Sequence, residues 1–189
     1  MNVVSREEFK KNEKELLKAI TEGALFVYPT DTIYGLGCDA TNSDAVQRVR
    51  EAKQQFEQPF SVIVPSKEWI RKNCEISSEA GTWLDKLPGP YTLILKLKNA
   101  TAVAQEVTLG KDTLGVRIPH HWFSDVAAEL MRPLVTTSAN LHGKPFMTTL
   151  EQLDTTIKDK VGFVVYEGPK DARPSTIVDL TEGVKVIAR

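Results

Sequence analysis

The sequence predicts an α/β fold on a mixed, twisted sheet, and three observations lead there. Short apolar runs with strand periodicity alternate with helical stretches along the whole chain. Three strand-like runs crowd the C-terminal end, separated only by glycine, proline and charged turns, which favours hairpin neighbours within the same sheet. The chain has 189 residues, 41% hydrophobic and 26% charged, an ordinary globular composition at a length that suits one domain over 1–189 better than two.

The elements follow in order. Ser5 with Glu8 reads as a capping box, and Phe9, Leu16, Leu17 and Ile20 recur at helical spacing until Gly23 stops the run. Residues 24–28 (ALFVY) form a short apolar run suited to a buried strand, ended by Pro29 before the polar stretch TDTIYGLG, which reads as a functional loop. Ser43 caps a helix reaching Lys53 with Val46 and Val49 inward, and residues 60–64 (FSVIV) alternate as a strand. Residues 66–74 and 77–87 read as two short helices, and the Pro88-Gly89-Pro90 turn leads into YTLILKL, alternating at Tyr91, Leu93, Leu95 and Leu97.

Leu114, Val116 and Ile118 share one face of the next strand, leaving Gly115 and Arg117 on the other. A helix over 122–131, the strand PLVTTS and the turn-rich ANLHGKP come next. Thr148 and Glu151 form a second capping box, for a helix with Leu150, Leu153 and Ile157 inward. FVVY, STIVDL and VKVIA are the closing strands.

Composition and motif searches exclude several functions. Lys and Arg number 24 against 25 Asp and Glu, so the chain has no overall positive field with which to hold nucleic acid indiscriminately. Cys38 and Cys74 lack metal or redox spacing and read as reduced thiols. The opening MNVVSREEFKKNEKELLKAI has no signal-peptide core, and no later run approaches a membrane span, so a cytoplasmic protein with no membrane partner is expected.

Gly110 to Gly115 continues with Val116 and Arg117 and is not a P-loop, and Gly35 and Gly37 lack the third glycine of a dinucleotide fingerprint. His120 and His121 make no zinc spacing with the cysteines, so no metal ligand is expected. Ser138 has neither elbow glycines nor an evident histidine base, which argues against a covalent hydrolase.

What remains is a set of hydroxyls, glycines and one arginine at the ends of apolar strands: PTDTIYGLG, LGVRIP and TTSAN. Taken singly, each hydroxyl reads equally as turn capping, and the arginine as a solvated strand residue. Taken together and in order, YPTDTIYGLG, Lys53 with PFSVIV, PGPYTLIL, LGVRIPHH, TTSANLHG and PSTIVDL resemble the YrdC family of threonylcarbamoyl-AMP synthases, over about residues 14–189. The resemblance implies a sheet curled around a concave, positively charged cavity. It also implies an enzyme that condenses L-threonine, bicarbonate or CO2, and ATP into threonylcarbamoyl-AMP and pyrophosphate. Mg2+ is expected on the ATP phosphates. The product would pass to a partner transferase that modifies a tRNA adenosine.

By the same resemblance Thr32, Arg117, Thr136 and Ser175 match threonine contacts, and a planar guanidinium suits a carboxylate. Lys53, Ser138, Asn140 and the terminal Arg189 match nucleotide contacts. The chain departs from the family at Lys53-Gln54-Gln55, where Gln55 stands in place of an arginine and the loop to Pro59 is one residue shorter. Arg50 lies three residues before Lys53 on the same helical face and is expected to supply the missing positive charge. Some members also carry a histidine after PF; here that stretch is Ser61-Val62-Ile63. No catalytic side chain is expected, since neither condensation step needs an enzyme nucleophile. The rival expectation is a module of the same fold that holds RNA or a nucleotide without making the adenylate.

Overall fold

The computed structural model describes residues 2–187, so Arg189 lies outside the described residues. In chain order the elements are β1 (Asn2–Val4), α1 (Arg6–Lys11), α2 (Glu13–Thr21), β2 (Phe26–Tyr28), β3 (Gly35–Gly37), α3 (Ser43–Lys53), β4 (Ser61–Ile63), α4 (Lys67–Asn73) and α5 (Ser78–Asp85). They continue with β5 (Tyr91–Lys96), α6 (Gln105–Thr108), β6 (Thr113–Arg117), α7 (Ser124–Leu130), β7 (Leu134–Ser138), a 3-10 turn (Leu150–Gln152), α8 (Thr155–Lys158), β8 (Phe163–Val165), β9 (Thr176–Asp179) and β10 (Lys185–Ile187).

Among the described residues the strands form one ten-stranded mixed sheet in the order β1-β8-β2-β3-β7-β4-β6-β5-β9-β10. The β1, β2, β4 and β5 strands each take a parallel neighbour, whereas β2–β3, β3–β7, β4–β7, β5–β6 and β9–β10 are antiparallel. Alternation then sorts the apolar side chains onto two faces. Val27, Leu36, Val62, Val116, Val135 and Val164 join one core with the inner faces of α3, α4, α5 and α8. Their strand neighbours Phe26, Tyr28, Ile63, Leu134, Phe163 and Val165 point the other way and pack on α1, α2 and α7. Helices on both faces thus bury a strongly apolar sheet.

Several boundaries differ from expectation for local reasons. The first helix is two, broken at Asn12, whose side-chain amide donates to the Glu8 carbonyl (3.0 Å) and whose backbone is no longer helical. Asn42, not Ser43, caps α3 by accepting the Ala45 N–H. The second capping box is Thr149 with Gln152, one residue later than read, and it caps a 3-10 turn. The stretch GLG, read as loop, is β3, because Gly37 must pass close to β7: a Cβ there would lie 2.5 Å from the Val135 carbonyl oxygen. The strand β1 and the helix α6 have too few residues to show a period and went unread.

Candidate functional site

The helix-covered part of the second face ends where its residues turn polar. Register places Ser61 of β4 opposite both Gly115 of β6 and Thr136 of β7, while Ile63, two residues on, lies opposite Arg117 and Leu134. Ser61, Gly115 and Thr136 therefore share the face that carries Ile63 and Leu134, beyond the reach of the apolar core. Gly115 keeps this floor open: a Cβ would sit 2.5 Å from Ser61 Oγ and 3.3 Å from Thr92 Cγ2. Two hollows open on it.

The first has a volume of about 50 Å³ and is lined by Tyr34, Thr92, Arg117, Pro174 and Ser175 together with Ser61 and the run 136–138. The second has a volume of about 370 Å³ and is lined by Lys53, Gln55, Gln58, Asn140, His142 and Gly143 with the same Ser61 and 136–138. The second lies within the size range of small-molecule sites, and the first is a narrow slot beside it. The shared wall of Ser61, Thr136, Thr137 and Ser138 makes them adjoining chambers of one cavity.

The first chamber is built around Arg117, 6% exposed at the end of β6. Its Nη2 donates to Asp31 Oδ1 (3.0 Å) and to Thr32 Oγ1 (3.3 Å), and Asp31 Oδ2 accepts the His120 N–H (2.9 Å). Thr32 Oγ1 lies 3.0 Å from Thr30 Oγ1, which donates to the Ile33 carbonyl. The loop TDT thus braces the arginine from behind. Thr92 and Ser175 pair through their hydroxyls at 2.8 Å, joining β5 to the segment before β9. That segment is tied down by Tyr34, whose hydroxyl donates to the Gly168 carbonyl (2.7 Å) and accepts the Glu167 N–H (3.0 Å). The Glu167 carboxylate also accepts from Trp122 and meets His121 at 3.0 Å.

The second chamber is built around Lys53, 1% exposed at the end of α3. Its Nζ donates to the carbonyls of Ser138 (2.5 Å) and Asn140 (2.7 Å), so the cation shapes the turn TTSAN from beneath. Burial lowers its pKa to about 8. Asn140 donates through Nδ2 to the carbonyls of Leu141 and Lys144, while its buried Oδ1 has no hydrogen-bond partner among the described residues. An orphaned buried acceptor beside an open chamber suits a donor supplied from outside the chain.

The residues singled out in the sequence are therefore placed as follows. Arg117, Thr136 and Ser175 line the first chamber, Lys53, Gln55 and Asn140 line the second, and Ser138 lines both. Thr32 lies behind Arg117 as part of its support rather than in the lining. Arg50 corrects expectation. Its guanidinium, 2% exposed, donates to the carbonyls of Glu106, Gln55 and Gln58 at 2.5–3.0 Å and lies 4.2 Å from the Phe60 ring centroid. Those carbonyls take up its donors, so the charge faces into the protein and not into the chamber.

Asp31, which braces Arg117, and the lining residues Ser61, Thr92, Thr137, Tyr34 and His142 were missed. A hydroxyl interrupting each of the apolar runs FSVIV and YTLIL was the available signal for Ser61 and Thr92. Both cysteines are fully buried, and burial raises their thiol pKa, so neither is a nucleophile. Among the described residues no group of three His, Cys, Asp or Glu is placed to hold a metal ion, and no helix is long and apolar enough to cross a membrane.

The chain is similar to known proteins along nearly its whole length. It is 37% identical to a putative threonylcarbamoyl-AMP synthase of Methanocaldococcus jannaschii, over 98% of this chain and 87% of that one. It is 32% identical to the threonylcarbamoyl-AMP synthase of Vibrio campbellii, over 89% and 94% of the two chains. Among solved structures, the Sua5 protein of P. abyssi complexed with L-threonine superposes with a TM-score of 0.84 at 32% identity. The alignment covers 96% of this chain and 54% of that longer one. The Escherichia coli YciO structure matches at a TM-score of 0.85 and 22% identity, over 100% of this chain and 94% of that one, a likeness of fold. The family model covering Sua5, YciO and YrdC, described as telomere recombination, matches residues 18–189, and the chain belongs to that family.

Proposed function

We propose that the protein is an L-threonylcarbamoyladenylate synthase, a nucleotidyltransferase that makes threonylcarbamoyl-AMP and pyrophosphate from L-threonine, bicarbonate or CO2, and ATP. The observation that carries this reading is the pair of adjoining chambers with a common wall. One has a braced arginine and hydroxyls fit for a small amino acid, and the other has a buried lysine under a polar turn fit for a nucleotide.

Threonine enters the first chamber with its carboxylate at Arg117 and its polar groups toward Thr136, Thr92 and Ser175. ATP occupies the second, its phosphates over the turn shaped by Lys53; Mg2+ would arrive with the nucleotide and would offset phosphate charge. The threonine amine adds to CO2 and loses a proton, giving a carbamate. A carbamate oxygen then attacks the α-phosphorus, the bond to the bridging oxygen breaks, and pyrophosphate leaves with its electron pair. Neither step requires a protein nucleophile. The protein holds the carbamate and the α-phosphorus together across the shared wall and offsets the charge that grows on the phosphates. The product passes to a transferase that modifies a tRNA adenosine.

Incubation with ATP, threonine and bicarbonate is expected to release pyrophosphate only when all three are present, with the adenylate identified by mass. ATP or RNA binding without turnover would instead identify a binding module of this fold, the reading that Gln55 favours.

A further inference from the structure

The end of α3 and the loop that follows have chemistry different from the rest of the cavity. Gln54 takes the left-handed conformation (φ 54°), the Gln54 N–H reaches the Glu51 carbonyl (3.3 Å) and the Gln55 N–H reaches the Arg50 carbonyl (3.0 Å), a Schellman ending. Arg50 then pins the loop from inside through the carbonyls of Gln55 (3.0 Å) and Gln58 (2.9 Å). On this fixed frame Phe56 stands 56% exposed, an aromatic ring left in water. It lines a groove with Gln54, Gln55, Glu57, Gln58 and His142, and that groove shares Gln55, Gln58 and His142 with the second chamber.

We propose that this groove seats the purine ring of ATP, with Phe56 as the stacking face and the glutamine amides reading the base edge. This assignment rests on the ATP reading given above and deepens it. Three considerations choose the base over any other group. The groove has no Lys or Arg and does have the carboxylate of Glu57, which disfavours a phosphate. An aromatic ring beside primary amides matches a flat, uncharged heterocycle with donors and acceptors on its rim, and glutamine pairs in bidentate fashion with the N6 and N7 edge of adenine. The groove is also continuous with the chamber assigned to the phosphates, so one nucleotide spans both. Because Arg50 holds the loop in place before ligand arrives, little ordering cost opposes stacking.

The test is calorimetric titration of ATP, GTP and inorganic tripolyphosphate into the wild-type protein, Phe56→Ala and Phe56→Trp. Phe56 is exposed, so both variants are expected to melt with the wild type. Phe56→Ala is expected to weaken ATP roughly ten-fold, about 1.4 kcal/mol. It leaves tripolyphosphate unchanged, Phe56→Trp restores ATP, and GTP binds more weakly than ATP to the wild type. Equal ATP affinity in the wild type and Phe56→Ala overturns the groove assignment. So does an unchanged ATP affinity with weakened tRNA binding, which would make Phe56 a platform for RNA. A wild-type protein that binds no ATP at all sinks the functional reading itself, a different result from either.

Discussion

The two chambers share a wall but are built on opposite plans. In the first, charge faces inward across strands: Arg117 meets Asp31, with side chains only 8% and 10% exposed, and the sheet register sets the floor. In the second, the two cations are turned toward the protein's own backbone. Lys53 and Arg50 donate to carbonyls of the turn and loop, and what faces the ligand is amide, hydroxyl and aromatic. A strand end presents a side chain at a fixed distance from its neighbours, whereas loops meeting at a helix end leave carbonyls that must be satisfied before any donor is available to a ligand.

The largest expected effect breaks the first plan. Arg117→Met leaves the Asp31 carboxylate nearly buried and without its ion-pair partner, and it is expected to cost about 3 kcal/mol of stability as well as threonine-dependent turnover. Denaturant unfolding beside the pyrophosphate assay checks this, and an intact threonine KM would refute the division of labour. Next, Asp31→Asn keeps the arginine but loosens its brace. A rise of roughly ten-fold in threonine KM with ATP KM unmoved is the expected outcome, consistent with the loss of about 1.4 kcal/mol from one charge-assisted contact.

The second plan has a pH signature. Lys53, with its pKa lowered to about 8 by burial, carries its charge below that pH and loses it as pH rises through it, while an ordinary lysine stays charged to about 10. ATP KM is therefore expected to rise several-fold between about pH 7 and 9, with threonine KM flat, and Lys53→Arg should remove the transition. A flat wild-type profile would show that the Lys53 cation has no part in ATP binding. The smallest effect is a control outside both chambers. Met131 ends α7 in the left-handed conformation (φ 52°) and is 79% exposed, so Met131→Gly should gain about 1 kcal/mol, seen as a higher Tm, without altering either KM.

Much of this arrangement was legible in the chain. FSVIV and PLVTTS were legible as strands, Gly115 and Arg117 as sharing one face of theirs, the cap at Ser5 as a helix start, and the spans 66–74 and 77–87 as two more helices. The family resemblance divided the hydroxyls between two ligands, and the structure puts Arg117, Thr136 and Ser175 in one chamber and Lys53, Gln55 and Asn140 in the other. Arg50 was read too literally. Spacing puts Arg50 on the same helical side as Lys53, but it cannot say that α6 and the 55–58 loop bring unpaired carbonyls against that side.

The sequence by itself determined the periodicities, the stops and starts, and the supply of hydroxyls and cations at strand ends. These depend on a few neighbouring residues and so are written locally. Only the tertiary structure decided which strands lie side by side, and hence that Ser61, Gly115 and Thr136 form one row, and which cations a ligand could meet. The reason is that a buried donor goes to whichever acceptor packing has stripped of water, and that acceptor belongs to a segment far away in the chain.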